Sequence, residues 1–315
     1  MSDVSFSDFF SESAAGSDEG MPTVTSFPRP ALDSRVRWSV SIRRVGSSSA
    51  AGVLYEHDPG MPLKTASVGK LFLLAEIARR MVARDLDPGE VISRDEESPE
   101  DPMEDSGLLY LLRQRDLCIA DLCVLVGAFS DNYATNLLVG RVGLDAVLHC
   151  SRDLLGYRTS ALLDKVRWTR DASMPDDMSR GCAAELCDYM ARMHAGTLIG
   201  PEESALVERW LGADADTSMV SGAFGVDPLA HWPSDAGFSL RHKTGTESDV
   251  RCDVGVVGDG FTGDAVAYAV LANWDRGLGD MRDVVLADMR RIGDAIRTQI
   301  ESPVAQAPAD SRGDD

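Results

Sequence analysis

The chain has 315 residues, 44% of them apolar and 26% charged, with a net charge of −20 and a pI of about 4.6. That length can bury the core of one large domain or two small ones, and the composition is that of an ordinary soluble globular protein. So acidic a balance opposes binding to nucleic acid or anionic lipid, and no stretch approaches the ~18 apolar residues of a membrane span.

Residues 1–33 hold six acids and one base, with prolines at 22, 28 and 30, and read as a disordered acidic tail. They show neither the basic start nor the apolar run of an export signal, which predicts a cytoplasmic location. From Arg35 the chain alternates: Val36, Trp38, Val40 and Ile42 face one way, and Arg37, Ser39, Ser41 and Arg43 the other. That period of two predicts a half-buried strand, and Ala51–His57 predicts its hairpin partner across the turn Gly46–Ser49.

Thr65-Ala66-Ser67-Val68-Gly69-Lys70 follows, opening the run Leu71, Phe72, Leu73, Leu74, Ala75, Ile77 and Ala78. The run is apolar all round at first and amphipathic later, which predicts a helix buried at its N-terminal end. Ser67 and Lys70, three apart, share one face of it. A serine hydroxyl is a poor nucleophile until a base takes its proton, and a desolvated lysine can do that. Unpaired N–H groups at the helix start suit a developing oxyanion.

Residues 86–105 are acidic and broken by Pro88, Pro99 and Pro102, a loop; Leu108–Leu112 resumes a helix-like pattern. Ile119–Phe129 is a strongly apolar helix that runs into Ser130-Asp131-Asn132, and Ala134–Val142 and Leu144–Leu155 are two more. Residues 156–180 have no clean period and predict a long surface loop, of the kind that tends to be functional. Cys182–Met193 and Ser204–Leu211 are helices. Leu240–Lys243, Val250–Val257 and Ala265–Ala272 are β-rich runs, the last two joined by Gly258-Asp259-Gly260; Gly279–Ile300 is an amphipathic helix, and 302–315 a disordered tail.

Strands at both ends with helices between them predict an α+β fold: an antiparallel sheet made from both ends of the chain, flanked by helices, with an all-helical central region. Residues 34–66 and 213–300 form the α/β part and 67–212 the helical part. The six cysteines have neither C-x-x-C spacing nor a neighbouring histidine pattern, so they read as reduced core residues, with no metal and no cofactor.

Three triplets stand out in order: Ser67-x-x-Lys70 opening a buried helix, Ser130-Asp131-Asn132 in a turn between apolar helices, and Lys243-Thr244-Gly245 ending a strand. The set resembles that of class A β-lactamases and penicillin-binding proteins. The resemblance extends through Ser130–Leu138, Ser179–Leu186, the final strands and the closing helix, and covers about residues 34–300. It implies a β-lactamase-like fold and an acylated nucleophile, Ser67, with Lys70 its base or base partner. It further implies that Ser130 relays a proton to the leaving nitrogen, that Asn132 holds the substrate amide, and that Lys243 stabilises Ser130. Thr244 and Gly245 would lie against the substrate, Thr244 on its carboxylate, with Arg251 a second cation for that carboxylate. The N–H groups of Ser67 and Thr246 would form the oxyanion hole.

One departure matters. Leu162-Leu163-Asp164-Lys165 resembles the lead-in to the loop that carries the family's deacylating glutamate, yet position matching puts Arg167 where that glutamate should be. A cation cannot abstract a proton from water. Asp164, Asp171, Asp176 and Asp177 are the acids left to substitute. The expected protein is therefore a serine acyl-hydrolase or acyl-transferase acting on an amide, ester or β-lactam carbonyl of a small, carboxylate-bearing molecule, and not an efficient class A β-lactamase. The alternatives are a genuine β-lactamase with another base and a binding module without turnover. No signal of oligomeric state is present.

Overall fold

The computed structural model describes residues 26–46, 52–96, 106–228, 237–259 and 265–301. The expected tails before 26 and after 301, the turn after Gly46, the segment 97–105 and the hairpin turn at 260–264 lie outside the described residues. The tail expected over 1–33 is corrected at its end. Phe27 stacks on Tyr55 with ring centroids 5.7 Å apart, and the Asp33 N–H donates to Asp288 Oδ2 at 2.9 Å, so residues 26–33 pack on the protein.

Two strands, β1 (Val36–Val45) and β2 (Val53–His57), open the fold, and the short β3 (Leu63–Lys64) leads into a 3-10 turn, Ala66–Gly69, and α1 (Lys70–Val82). The loop expected over 86–105 contains β4 (Val91–Ser93), which pairs with β5 (Asp116–Cys118). Then come α2 (Ile119–Phe129), α3 (Asn132–Val142) and α4 (Leu144–His149), the last continued by a π turn, Cys150–Leu154. The expected loop 156–180 carries two more short strands, β6 (Ala161–Leu162) and β7 (Ser179–Gly181), which make a second sheet with β3 in the order β3-β7-β6. Helices α5 (Ala183–His194) and α6 (Pro201–Leu211) follow. Pro201 and the pair Glu202 and Glu203 start α6 where a missing N–H and negative charge suit a helix N-terminus. The chain closes with β8 (Phe238–Glu247), β9 (Val250–Asp259), β10 (Ala265–Trp274) and α7 (Arg282–Glu301).

The main sheet is antiparallel, in the order β2-β1-β10-β9-β8, so strands from both chain ends meet at β1 and β10. Period-two alternation sorts β10 between two cores. Ala265, Ala267, Ala269 and Leu271 face the helical half, while Val266, Tyr268 and Val270 face α7 through Met289, Ile292 and Ile296. Strand β1 differs from expectation: Ser39 and Ser41 are fully buried, because α5 lies over them and its Ala183 N–H donates to Ser39 Oγ at 3.1 Å. Helix α1 is buried from Lys70 to Ala78 and packs against α2, α3, α4 and α6. Inside it, Glu76 is 1% exposed and is held ionised by Arg79 and Arg80, whose hydrogen bonds outweigh the burial that opposes its charge. Among the described residues no helix is long and apolar enough to cross a membrane.

Candidate active site

Ser67 sits in a turn held from two sides. Ala66 before it adopts φ +47°, a left-handed conformation unfavourable for a side chain bearing a Cβ. Ser179 on β7 fastens that turn: its hydroxyl donates to Ala66 O at 2.5 Å and lies 2.7 Å from Thr65 Oγ1. On the other side β8 presses directly on the turn, and this is the role the structure gives Gly245. A Cβ at Gly245 would stand 2.2 Å from Thr65 O, so only glycine lets the strand come so close. Gly245 itself does not line the cavity described below.

Lys70 is fully buried on α1, three residues past Ser67. Its ammonium donates to Ser130 O at 2.6 Å, to Ser130 Oγ at 3.3 Å and to Asn132 Oδ1 at 2.6 Å. Ser130 ends α2 with φ +53°, again left-handed for a non-glycine residue. Asp131 fixes that bend. Its Oδ1 accepts from Ala134 N at 2.9 Å, capping α3, and its Oδ2 accepts from Leu108 N and Leu109 N, both at 2.7 Å. Asp131→Asn keeps the shape but turns one acceptor into a donor facing N–H groups. We expect a stability loss of about 2 kcal/mol or more, since each buried unpaired group costs ~1–3 kcal/mol. Chemical denaturation checks this; an unchanged midpoint would show that the carboxylate does not hold the loop.

Lys243 approaches from β8 and is also fully buried. Burial lowers its pKa, against the nearby carboxylates of Asp214, Asp216 and Asp253. Its ammonium donates to Thr244 O at 2.9 Å. Beside it, His242 Nδ1 lies 3.4 Å from Asp253 Oδ1 and 3.9 Å from Asp214 Oδ2. Burial lowers the imidazole pKa, but Asp214 and Asp253 outweigh it and bring it to about 8.

A cavity of about 600 Å³ is lined by Ser67, Ser130, Asn132, Thr244 and Thr246, with Ser106, Phe129, Asp214 and Asp216 around them. Five of the expected site residues thus share one wall, and Lys70 reaches two of them from the buried side. Arg251 does not join them. It pairs in register with Thr246, but its Nη1 donates to Glu247 O at 2.6 Å and Val250 O at 2.7 Å, and it lines a neighbouring cavity with Trp274, Arg276 and Arg282. Among the described residues no lysine or arginine lines the Ser67 cavity, so of the two expected carboxylate partners Thr244 stands on its wall and Arg251 does not.

A profile of the beta-lactamase enzyme family matches residues 34–299, from before β1 to the last turn of α7. The chain belongs to that family. It is a β-lactamase-like serine enzyme with the α+β fold expected from the alternation of its strands and helices. Solved structures agree on the fold. A beta-lactamase from Sphaerobacter thermophilus superposes with a TM-score of 0.68 at 22% identity, covering 83% of this chain and 92% of that one. PBP-A superposes with a TM-score of 0.67 at 14% identity over 85% and 91% of the two chains, and a PBP-A mutant solved as an acyl-enzyme complex with penicillin G gives 0.67 at 15% over the same shares. No curated protein matches the chain in sequence.

The loop after α4 shows what this family member does with the acids left as candidate bases. Asp164 accepts from Arg167 Nε at 2.9 Å and also pairs with Arg170; these bonds outweigh burial and keep its pKa low. Asp177 pairs with Lys64 at 3.2 Å and Arg180 at 2.9 Å, Asp171 caps Ser173, and Asp176 is exposed. None of the four lines the Ser67 cavity. Arg167 is likewise drawn onto Asp164, while Asn136 clamps Val166 with bonds of 2.9 and 3.0 Å to its N–H and carbonyl. The sequence reading missed Asp214, Asp216, Ser106 and Ser179. The first two follow α6 in a short turn with no motif, which the Ala215 N–H, donating to Ala128 O at 2.9 Å, ties to the end of α2 beside the cavity.

Proposed function

We propose that the protein is a serine acyl-transfer enzyme that forms an acyl-Ser67 intermediate from an amide, ester or β-lactam carbonyl and releases it slowly to water. Ser67 Oγ attacks the carbonyl carbon as Lys70, in its neutral amine form, takes up its proton. The N–H groups of Ser67 and Thr246 hold the oxyanion, and Asn132 holds the acyl-side amide. Ser130 returns the proton to the departing nitrogen or oxygen as its bond to the carbonyl carbon breaks. Lys243 supplies positive potential beneath Ser130 and Thr244.

The observation that carries this reading is the Lys70 side-chain nitrogen, buried and hydrogen-bonded to Ser130 Oγ and Asn132 Oδ1 beneath a cavity that Ser67 lines. The acyl-enzyme of PBP-A with penicillin G, on a similar fold, makes a penicillin the natural first probe. Mixing the protein with benzylpenicillin and, separately, with an activated ester, then weighing it intact and mapping the adduct, tests the proposal. An adduct on the Ser67 peptide, or burst release of the ester's alcohol, supports it. Fast β-lactam turnover assigns hydrolysis by another base, and no reaction with either probe assigns a binding module.

A further inference from the structure

The carbonyl of Ala66 and the N–H of Ser67 belong to one planar peptide unit and point in opposite directions, so a grip on the carbonyl also aims the N–H. Ser179 supplies that grip: its buried hydroxyl donates to Ala66 O at 2.5 Å. A hydroxyl has one proton to give, so the 2.7 Å bond between Ser179 Oγ and the buried Thr65 Oγ1 is donated by Thr65. A chain of bonds thus runs from the Thr65 hydroxyl through the Ser179 hydroxyl and the Ala66 carbonyl to the Ser67 N–H. Bonds in such a chain polarise one another, which strengthens the last donor. The reach of Ser179 depends on Gly69, inside the same turn. A Cβ at Gly69 would stand 2.4 Å from Ser179 Cβ and 3.0 Å from its Oγ, so a larger residue there would push β7 off the turn. The Thr65 N–H, donating to Ser179 O at 3.3 Å, carries the β3–β7 pairing up to this point. Ala66 is held at φ +47°, which its Cβ disfavours, so the peptide needs a partner to keep it there.

We infer that Ser179 is a positioning residue for acylation: through the Ala66 carbonyl it aims and strengthens the Ser67 N–H that meets the oxyanion. The inference rests on the acyl-Ser67 reading, and Ser179 acts at one remove, since it does not itself line the cavity. Negative charge gathers on the substrate oxygen only as the bond from Ser67 Oγ to the carbonyl carbon forms. Losing Ser179 therefore slows the acylation step and leaves the first binding of substrate nearly unchanged.

Ser179→Ala tests it, with benzylpenicillin isotopically labelled at the β-lactam carbonyl as the acyl donor. The acylation rate constant at saturation should fall ~10-fold or more, a part of the ~10²–10³ lost when an oxyanion donor is deleted outright. The concentration for half-saturation should stay within ~3-fold, as for an interaction made only in the transition state. In rapid-mixing infrared spectra the labelled carbonyl band of the acyl-enzyme should move to higher wavenumber, because a weaker hydrogen bond leaves the C=O bond stiffer. A loss of stability by itself would not move that band. Thr65→Val, which removes the first donor of the chain, should give smaller changes of the same sign. The double variant should match Ser179→Ala, because Thr65 acts through Ser179. An unchanged acylation rate, or a slower one with the band unmoved, overturns the inference while leaving the acyl-enzyme reading standing. If Ser179→Ala does not fold, Thr65→Val decides by the same band, and an unmoved band overturns the inference. No acylation of the unaltered protein by penicillin or by an activated ester overturns both.

Discussion

Ser67→Ala is expected to abolish covalent labelling by any acyl donor while leaving the protein folded. Among the described residues, no hydroxyl other than that of Ser67 both lines the cavity and sits at the start of the helix that carries the buried Lys70. The turn around it is held by other groups, namely Ser179 Oγ on Ala66 O, Val68 N on Thr65 O at 3.1 Å, and β8 at Gly245. Ser67 makes no side-chain cap to α1, so removing its hydroxyl should cost no more than about 0.5 kcal/mol. Intact mass after exposure to penicillin or an activated ester gives the answer, with denaturation as the control for folding. An adduct of the same mass in the variant would mean that another nucleophile acts, and the central assignment would be lost.

The second large effect is in release. Acyl-Ser67 formed from a penicillin should persist for minutes or longer, since general-base assistance contributes ~10²–10⁴-fold and no loop acid reaches the cavity. Mixing should give a burst equal to the enzyme concentration followed by a slow steady state, with the adduct visible by mass. Rapid turnover without a burst would show that an unassigned base does the work and would favour plain β-lactam hydrolysis. Arg167→Glu is not expected to rescue turnover. Arg167 Nε is 2.9 Å from Asp164, so a glutamate there would face a carboxylate already held ionised by Arg170. Repulsion would turn the new side chain away and loosen the loop.

Much of the fold was legible because its signals are local. The alternation Val36–Trp38–Val40–Ile42 marked β1, and the apolar run Ile119–Phe129 marked α2 with the same ends the structure shows. Strands β6 and β7 were not legible. Two or three residues carry no readable period, and the pairing of β7 with β3 joins residues more than a hundred positions apart. The burial of Ser39 and Ser41 was hidden for a related reason, since polar residues on a strand read as solvent-facing until another element is known to cover them.

The sequence by itself determined the family-defining chemistry. Ser67 and Lys70 sit at helical spacing, the Ser130–Asn132 turn falls between two helices, and the lysine triplet lies on a strand, β8, that runs on to Glu247; each depends on neighbours a few residues away, which a linear reading can see. Tertiary structure alone decided what surrounds that chemistry. It bent Arg251 away to backbone carbonyls, neutralised Asp164 with Arg167 and Arg170, and set Asp214 and Asp216 on the cavity wall. Charge acts through space over a few ångströms, so which cation meets which carboxylate depends on how distant segments pack, and no local period records that.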